Sequence, residues 1–177
     1  LIYFIMFCMF FVFGGVLNIL PFRVKDISTS ANEFQISLLY LGYGMGILVS
    51  LSSKKIVDFF KNELNTMIVS IAFFLFILIF LVTEDIVYLF VLLFLFCIGM
   101  FTVHTVSTGL ANSMKSSQKS LTSGMYLTFY YIGGASGSFL PSIIYKYFGW
   151  DIMIYCFVVI LLIVVMVTYK NRKLFNQ

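Results

Sequence analysis

The sequence predicts an all-α polytopic membrane protein in which six transmembrane helices form two three-helix repeats. The first observation is composition: of 177 residues, 62% are hydrophobic and 10% are charged, whereas a soluble domain carries roughly 25% charged residues. The second is that the apolar residues form six separate stretches, and the third is a seven-residue motif that occurs twice. A chain of this length cannot bury so much apolar surface within itself, so lipid must solvate much of it.

A helix needs about 20 mostly apolar residues to cross the hydrocarbon core of a bilayer. The stretches that meet this length are 1–22, 34–53, 64–83, 86–108, 121–143 and 150–169. Only Glu84 and Asp85 join the third stretch to the fourth, which predicts a tight antiparallel hairpin. Residues 1–13 carry no charge, so we expect residue 1 to lie already inside a span and a preceding part of the protein to be missing.

Basic residues predict the orientation of the spans, because Lys and Arg concentrate on the cytoplasmic side of membrane proteins. On one side of the predicted spans lie Lys54, Lys55, Lys61, Lys115, Lys119, Lys170, Arg172 and Lys173. The other side holds only Arg23, Lys25 and Lys146. We therefore expect both termini to be cytoplasmic, with 170–177 as a cytoplasmic tail. The net charge of +4 reflects this topology and does not indicate nucleic-acid binding.

A tyrosine–glycine motif at residues 40–46 recurs at 131–137, half a chain later, with the Tyr and two Gly residues in register. Helices in lipid associate through close backbone approach at small residues, so the second and fifth spans should each press against a neighbour. The helix-packing and gating residues predicted in this way are Gly42, Gly46, Gly133 and Gly137. The offset of the two copies divides the chain into repeats 1–83 and 86–169.

The fifth predicted span carries a longer stripe, which runs at helical spacing from Tyr126 and Tyr130 through the glycines to Pro141. Such a face suits a helix that lines a cavity and bends as the cavity changes shape. We therefore expect 126–141 to be the shape-changing member and 40–46 to be mainly a packing contact. Plain helix packing, with the tyrosine hydroxyls bonded to neighbouring helices, explains the same stripe.

Four segments carry a family resemblance: Asn18–Pro21 at the outer end of the first span, Phe101–Ser107 before a short predicted loop, Met125–Gly137, and Tyr145–Trp150 at an outer turn. Together they resemble the C-terminal six-helix half of a major facilitator superfamily transporter, closest to the YnfM-like bacterial drug/proton antiporters. The resemblance extends over essentially the whole chain.

This resemblance implies secondary active transport of a small organic solute by alternating access, as proton-coupled efflux across a bacterial inner membrane. The implied partners are the substrate, protons, the lipid bilayer and a missing N-terminal six-helix half, and no cofactor is implied. In such proteins the substrate binds near the bilayer midplane. The residues of this half that could line the cavity are Asn18, Tyr40, Tyr43, Tyr126 and Tyr130. Each of them could instead be a hydrogen-bonding residue between helices.

His104 is the single histidine of the sequence, and it lies inside a predicted span. An ionisable group within a membrane indicates function, and histidine titrates near neutral pH, so His104 could couple transport to protons or line the cavity as a polar residue. It also lies only four residues before Thr108, the predicted end of its span, which fits an interfacial polar residue. No Asp or Glu lies well inside a predicted span, so we expect a coupling acid in the missing half.

Other classes of protein fit less well. Residues 134–137 match the G-x-S-G motif of rhomboid proteases, but a serine nucleophile needs a base and no histidine follows Ser136. We therefore predict no catalytic residue and no enzyme. Cys8, Cys97 and Cys156 are scattered, which predicts neither a disulfide framework nor a metal site. The remaining alternative is a six-span non-catalytic membrane subunit, or a half-size protein that dimerises to form a pore.

Overall fold

The computed structural model describes residues 1–113 and 119–172, and these ranges are built from helices. The elements are α1 (Ile2–Ile27), α2 (Glu33–Leu39), a 3-10 turn (Tyr40–Gly44), α3 (Met45–Phe59), α4 (Glu63–Phe80), α5 (Ile86–Ser113) and α6 (Lys119–Lys170). In the described ranges, five helical stretches are long and apolar enough to cross a membrane, with α2, the turn and α3 counting as one. Lys115, Lys173 and the side chain of Lys119, which contributed to the predicted orientation, lie outside the described residues.

Polar side chains determine where two of the helices begin. At the start of α2, Asn32 Oδ1 accepts a hydrogen bond from the Gln35 backbone N–H at 2.8 Å, and Gln35 Oε1 accepts one from the Asn32 N–H at 3.1 Å. This reciprocal capping box satisfies two N–H groups that have no partner within the helix. At the start of α4, Asn62 Oδ1 accepts from the Asn65 N–H at 2.8 Å in a similar way.

Most helices do not end where the apolar stretches end. The first, second and fourth predicted spans continue as helix to Ile27, Phe59 and Ser113, while the third stops earlier, at Phe80. Backbone hydrogen bonds hold a helix together in water as well as in lipid, so polar residues extend a helix beyond the bilayer core. The length of an apolar stretch therefore predicts which part of a helix lies in the bilayer core. It does not predict where the helix begins or ends.

The predicted fifth and sixth spans form one element, α6, which contains a single break. Gly149 is non-helical, with φ of 82° and ψ of −179°, and glycine reaches positive φ without steric cost. Trp150 Nε1 donates to the Leu81 carbonyl at the end of α4, whereas Tyr169 lies beside Asn65 near the start of α4. The segment after the break thus runs antiparallel to α4, and the residues between the predicted spans 121–143 and 150–169 are helical except for Gly149.

The two ends of the bundle differ in charge. The end where α1 begins also holds the α3–α4 turn, and we call it the lysine-rich end. Its exposed basic residues include Lys54, Lys55, Lys61 and Lys170. The opposite end, which holds Gly149 and the α4–α5 turn, is called the acidic end. Its exposed acidic residues include Asp26, Glu33, Glu84, Asp85 and Asp151.

Side chains from α1 and α6 bind the α4–α5 turn at the acidic end. Arg23 Nη2 donates to the carbonyls of Val82 at 3.3 Å and Thr83 at 3.2 Å. Trp150 Nε1 donates to the Leu81 carbonyl at 2.7 Å, and the Arg23 guanidinium lies 6.0 Å from the centre of the Trp150 ring. Carbonyls at a helix C-terminus have no partner within the helix, so these donors satisfy them and join three parts of the chain.

The helices differ greatly in how much of their surface this chain covers. In the most apolar window of α1, 67% of the residues are buried, against 22% for Glu33–Phe59. The second of these stretches exposes a row of large apolar side chains: Leu41, Tyr43, Ile47, Leu48 and Leu51. An apolar surface of this extent marks contact with lipid or with other helices. α1 is therefore the central helix, and α2, the turn and α3 lie at the edge.

Candidate functional site

One group of aromatic rings joins α1, α5 and α6. The Tyr130 ring stacks on Phe10 with ring centroids 3.8 Å apart and an interplanar angle of 11°. The His104 ring on α5 lies 4.7 Å from the Tyr130 ring, and Phe10 stacks in turn on Phe13 at 5.8 Å. These are favourable separations for aromatic pairs, so the rings form a continuous contact across three helices.

The same group extends through Phe13 to the edge of the bundle. Tyr43 meets the Phe13 ring edge to face at 5.6 Å, and Tyr40 lies 6.5 Å from Tyr43. The Tyr40 hydroxyl donates to the Leu17 carbonyl of α1 at 3.1 Å. The structure therefore brings four of the five predicted cavity residues together. We call the group the aromatic cluster, and its members are Phe10, Phe13, Tyr40, Tyr43, Phe101, His104, Tyr126 and Tyr130.

His104 and Tyr126 form a hydrogen-bonded pair between α5 and α6. The Tyr126 hydroxyl oxygen lies 2.9 Å from His104 Nδ1 and 3.2 Å from the His104 carbonyl oxygen. A tyrosine hydroxyl has one proton, which it can donate either to an unprotonated Nδ1 or to the carbonyl while accepting from a protonated Nδ1. The pair therefore accommodates both neutral tautomers and the imidazolium without losing its hydrogen bond.

Accessibility differs among the residues of the aromatic cluster. The Tyr126 side chain is 1% exposed, whereas Tyr43 is 47% exposed. Tyr40, His104 and Tyr130 are partly exposed. In this conformation a solute could touch Tyr43 directly, and it could reach Tyr126 only after neighbouring side chains had moved.

Asn18 lies apart from the aromatic cluster, on the half of α1 that approaches the acidic end. Its Nδ2 donates to the Gly14 carbonyl at 2.8 Å and to the Ser138 hydroxyl oxygen on α6 at 2.9 Å. Both Asn18 and Ser138 are exposed. The fifth predicted cavity residue is thus part of a separate polar pair on the surface shared by α1 and α6.

The glycines of the second motif copy allow the backbones of α6 and α1 to touch. A Cβ atom added at Gly137 would lie 2.7 Å from the Cα of Phe11, and one added at Gly133 would lie 2.9 Å from the Cα of Phe7. Real Cβ atoms essentially never come this close, so no larger residue fits without moving a helix. Close approach of this kind drives helix association in membranes.

The glycines of the first motif copy face side chains of α5 instead. A Cβ at Gly42 would lie 3.0 Å from the Cys97 sulfur, and one at Gly46 would lie 3.2 Å from the Phe101 ring. A side chain can shift by a few tenths of an ångström, which a packed backbone cannot do. The contact of the first copy is therefore the looser of the two.

The irregular backbone also lies in the first copy. Tyr40–Gly44 is a 3-10 turn, and a Cβ at Gly44 would meet nothing within 4 Å. Between Lys119 and Gly149, by contrast, α6 has regular helical geometry. This distribution differs from our expectation that 126–141 is the shape-changing member, because the irregular backbone lies in the first copy. The division of roles between the copies remains a prediction.

The structure provides no activated nucleophile at the G-x-S-G motif. The Ser136 hydroxyl donates to the carbonyls of Ile132 at 2.7 Å and Gly133 at 3.1 Å within its own helix. His104 is bonded to Tyr126. Within residues 1–113 and 119–172, no three His, Cys, Asp or Glu residues come together as ligands for a metal. The side chains of the aromatic cluster can hold a ligand by ring stacking and by hydrogen bonds.

Sequence reasoning missed four residues of this region: Phe10, Phe13 and Phe101 of the aromatic cluster, and Ser138. Phe10 and Phe13 hold the tyrosines together, but phenylalanine is so common in this chain, with 22 residues, that neither stood out. Ser138 was also missed, because a lone serine in a span usually bonds to its own helix. Its only available signal was its position on α6 next to Gly137, where α6 contacts α1.

Comparison with solved structures shows the same fold in a known transporter. The chain is similar to the in meso crystal structure of the POT family transporter PepTSo, with a TM-score of 0.82 and 21% sequence identity. The similarity covers 97% of this chain and 36% of that chain, so the chain spans about a third of the length of that transporter. None of the curated proteins compared with the chain matches it significantly.

The sequence profile of the Major Facilitator Superfamily matches residues 2–174, which is nearly the whole chain. The apolar helices and this match agree with the architecture described above. The chain is an integral membrane protein and belongs to the Major Facilitator Superfamily.

Proposed function

We propose that this chain is the C-terminal half of a secondary transporter that moves a small organic solute across a bacterial inner membrane by alternating access. We further propose that transport is proton-coupled efflux of the YnfM-like drug/proton antiporter type. The observation that carries the proposal is the aromatic cluster, which links three helices and ends in partly uncovered rings at the edge of the bundle. A solute site shared with an N-terminal six-helix half requires such an incomplete face.

The proposed topology has six membrane crossings in two three-helix repeats, 1–83 and 86–169, with both termini and the tail 170–177 in the cytoplasm. α6 would supply two crossings, because the chain reverses at Gly149. Reciprocal packing supports the repeats. Glycines in the second helix of the first repeat face α5, the first helix of the second repeat, and glycines in α6 face α1.

The His104–Tyr126 pair is the candidate for proton coupling within this half. It would keep its hydrogen bond when the imidazole is protonated, because the Tyr126 hydroxyl could then accept from Nδ1–H at 2.9 Å and donate to the His104 carbonyl oxygen at 3.2 Å. The Tyr130 ring lies 4.7 Å away, within the range of a cation–π contact with a protonated imidazole. A proton carried by His104 would therefore lie beside the aromatic cluster.

Transport is tested with the complete protein, both halves included, in sealed vesicles with an imposed proton gradient. The probe is a panel of fluorescent aromatic amines and alcohols, whose movement is followed with and without the ionophore nigericin. We expect gradient-driven accumulation that collapses when nigericin is added. Accumulation of the probe against its own gradient that persists in the presence of nigericin would overturn the antiport mechanism. Complete absence of transport by folded protein would favour the non-catalytic subunit or the dimeric pore.

The role of His104 is tested with His104→Gln and Tyr126→Phe. We expect both variants to retain movement of the probe down its own gradient while proton-driven accumulation falls. The matched control is Tyr155→Phe, which removes a hydroxyl from a 52% exposed tyrosine on α6 and should leave coupling unchanged. Full proton-driven accumulation by His104→Gln would assign coupling to the other half of the transporter.

A further inference from the structure

The polar pair on the shared surface of α1 and α6 has an unequal distribution of donors and acceptors. Asn18 Nδ2 carries two protons, and both are used, one by the Gly14 carbonyl and one by the Ser138 hydroxyl oxygen. The Ser138 hydroxyl proton is also used, because it is donated to the Gly134 carbonyl at 2.8 Å. The described residues therefore leave this pair with no free donor.

The orientation of the Asn18 amide follows from its partners. The oxygen and nitrogen of an asparagine amide must be assigned from the hydrogen-bond network. A backbone carbonyl such as that of Gly14 can only accept, so the atom 2.8 Å from it must be Nδ2. Asn18 Oδ1 then points away from both partners, and within residues 1–113 and 119–172 no hydrogen bond reaches it. The pair thus presents acceptor oxygens.

Exposed aromatic side chains lie on the same helix faces, one on each side of the pair along the helix axis. Phe22 lies one helical turn beyond Asn18 on the same face of α1 and is 62% exposed. Tyr131 lies two turns before Ser138 on the same face of α6 and is 63% exposed. The nearest charged group further along α1, Arg23, is directed to the α4–α5 turn. Lys25 lies two turns beyond Asn18 on the same face of α1 and is exposed.

We infer that Asn18 and Ser138 form a subsite for an N–H or O–H donor group of the transported solute, whose aromatic or apolar part lies against Phe22. This inference rests on the proposed function and adds a substrate class to it: amphipathic molecules that carry a hydroxyl, an amide N–H or an ammonium group. A solute that offers only acceptors finds no partner at this pair. The subsite therefore discriminates by donor content.

The test measures binding to the complete protein in lipid nanodiscs with matched pairs of naphthalene probes. The pairs are 2-naphthol with 2-methoxynaphthalene, and N-(2-naphthyl)acetamide with its N-methyl derivative. Each pair differs by one methyl group that removes the donor. Naphthalene fluorescence is corrected with empty nanodiscs. We expect the donor-bearing member to bind about tenfold more tightly, the effect of one net hydrogen bond.

The variants separate the subsite from general effects on folding, because the ratio of two affinities in one sample does not depend on the folded fraction. Asn18→Leu should abolish the preference. Ser138→Ala should weaken it because Asn18 loses one of its two holding bonds, and Asn18→Asp should weaken it further because a carboxylate can donate neither bond. The control is Asn65→Leu, which removes a similar side-chain bond, to the Phe60 carbonyl, at the lysine-rich end and should leave the ratio unchanged.

Three results would overturn the inference: equal affinity for both members of each pair, a preference that survives Asn18→Leu, and no binding of any donor-bearing probe. The first two leave the proposed transport intact, because transport is measured separately in vesicles. Loss of gradient-driven transport alone, with the binding preference retained, would overturn the proposed mechanism and leave the subsite in place.

Discussion

The two copies of the tyrosine–glycine motif occupy corresponding positions and make different contacts. In the second copy, Gly133 and Gly137 lie against the backbone of α1 within a regular helix. In the first, Gly42 and Gly46 lie against side chains of α5, and the backbone between them is partly a 3-10 turn. The same residues at the same spacing therefore produce a rigid crossing in one place and an adjustable one in the other.

The neighbouring helix explains this difference. The glycines of α6 meet backbone atoms of Phe7 and Phe11 on α1, and a Cβ added at Gly14 of α1 would lie 3.1 Å from the Gly134 carbonyl oxygen. The two backbones therefore meet and neither can yield. α5 presents Cys97 and Phe101 to the first copy, and these side chains can change rotamer at low cost. A small-residue motif thus indicates that a helix approaches a neighbour closely, while the neighbour decides how tightly the two are held. Four substitutions test this comparison.

The largest effect is expected from Gly137→Ala. Its new Cβ would lie 2.7 Å from the Cα of Phe11, so α6 must move away from α1, and overpacking of this kind costs about 3 kcal/mol or more. Thermal unfolding of the purified complete protein in detergent measures the loss. The matched control is Gly124→Ala in the same helix, which meets nothing within 4 Å. A Gly137→Ala protein as stable as this control would show that the crossing is not rigid.

A smaller loss, about 1 kcal/mol, is expected from Gly42→Ala. The new methyl group would press on the Cys97 sulfur at 3.0 Å and lie 3.5 Å from the Leu93 carbonyl oxygen. Cys97→Ala should relieve the strain, and a double-mutant cycle would give a favourable coupling between the two sites. Additive effects would mean that the sulfur is not the obstacle and that the first copy resembles the second.

Tyr126→Phe should cost about 1 kcal/mol, the usual range for a hydrogen bond between membrane helices. Tyr126 is 1% exposed and its hydroxyl bonds to His104, so the change leaves His104 without that partner. Tyr43→Phe, at a residue that is 47% exposed, should leave the unfolding temperature unchanged. Equal unfolding temperatures for the two variants would contradict the difference in packing between the two ends of the aromatic cluster.

The smallest effect on stability is expected from Gly44→Ala. Gly44 has helical angles, φ of −59° and ψ of −24°, and open space around it, so alanine should raise stability by about 0.5 kcal/mol through the unfolded state. If this turn changes shape during transport, turnover should fall even though the protein is more stable. Vesicle transport and thermal unfolding are compared in the same preparation. Unchanged turnover would mean that the turn Tyr40–Gly44 is not the segment that changes shape during transport.

Composition and the lengths of the apolar stretches predicted the helical membrane class and the approximate place of each span, because a helix that crosses the lipid core must be apolar and long enough to span it. They could not predict helix ends, which depend on single residues such as Asn32 and Asn62. They also could not predict that the last two expected spans form one element, because a single glycine at positive φ replaces the loop. Local backbone geometry of this kind leaves little trace in average hydropathy.

The candidate site could be predicted only in part, because the sequence shows which residues are unusual and does not show which residues meet. Tyrosines and a histidine in spans are conspicuous, and the structure gathers Tyr40, Tyr43, Tyr130 and His104 into one cluster. Asn18 was equally conspicuous, but its partner Ser138 lies 120 positions away in sequence. A contact over this distance depends on the crossing of α1 and α6, and the crossing angle of two helices is a property of the fold.

The bonds between Arg23, Trp150 and the α4–α5 turn have a mechanical consequence. If α1 or the last segment of α6 swung away from this turn, the carbonyls of Leu81, Val82 and Thr83 would lose their donors. Each unpaired group costs about 1–3 kcal/mol when shielded from water. Moving α1, the α4–α5 turn and the last segment of α6 apart therefore costs more free energy than moving them as one unit. At the acidic end α1, the α4–α5 turn and the last segment of α6 are therefore held together, and a force applied to one of them is transmitted to the other two.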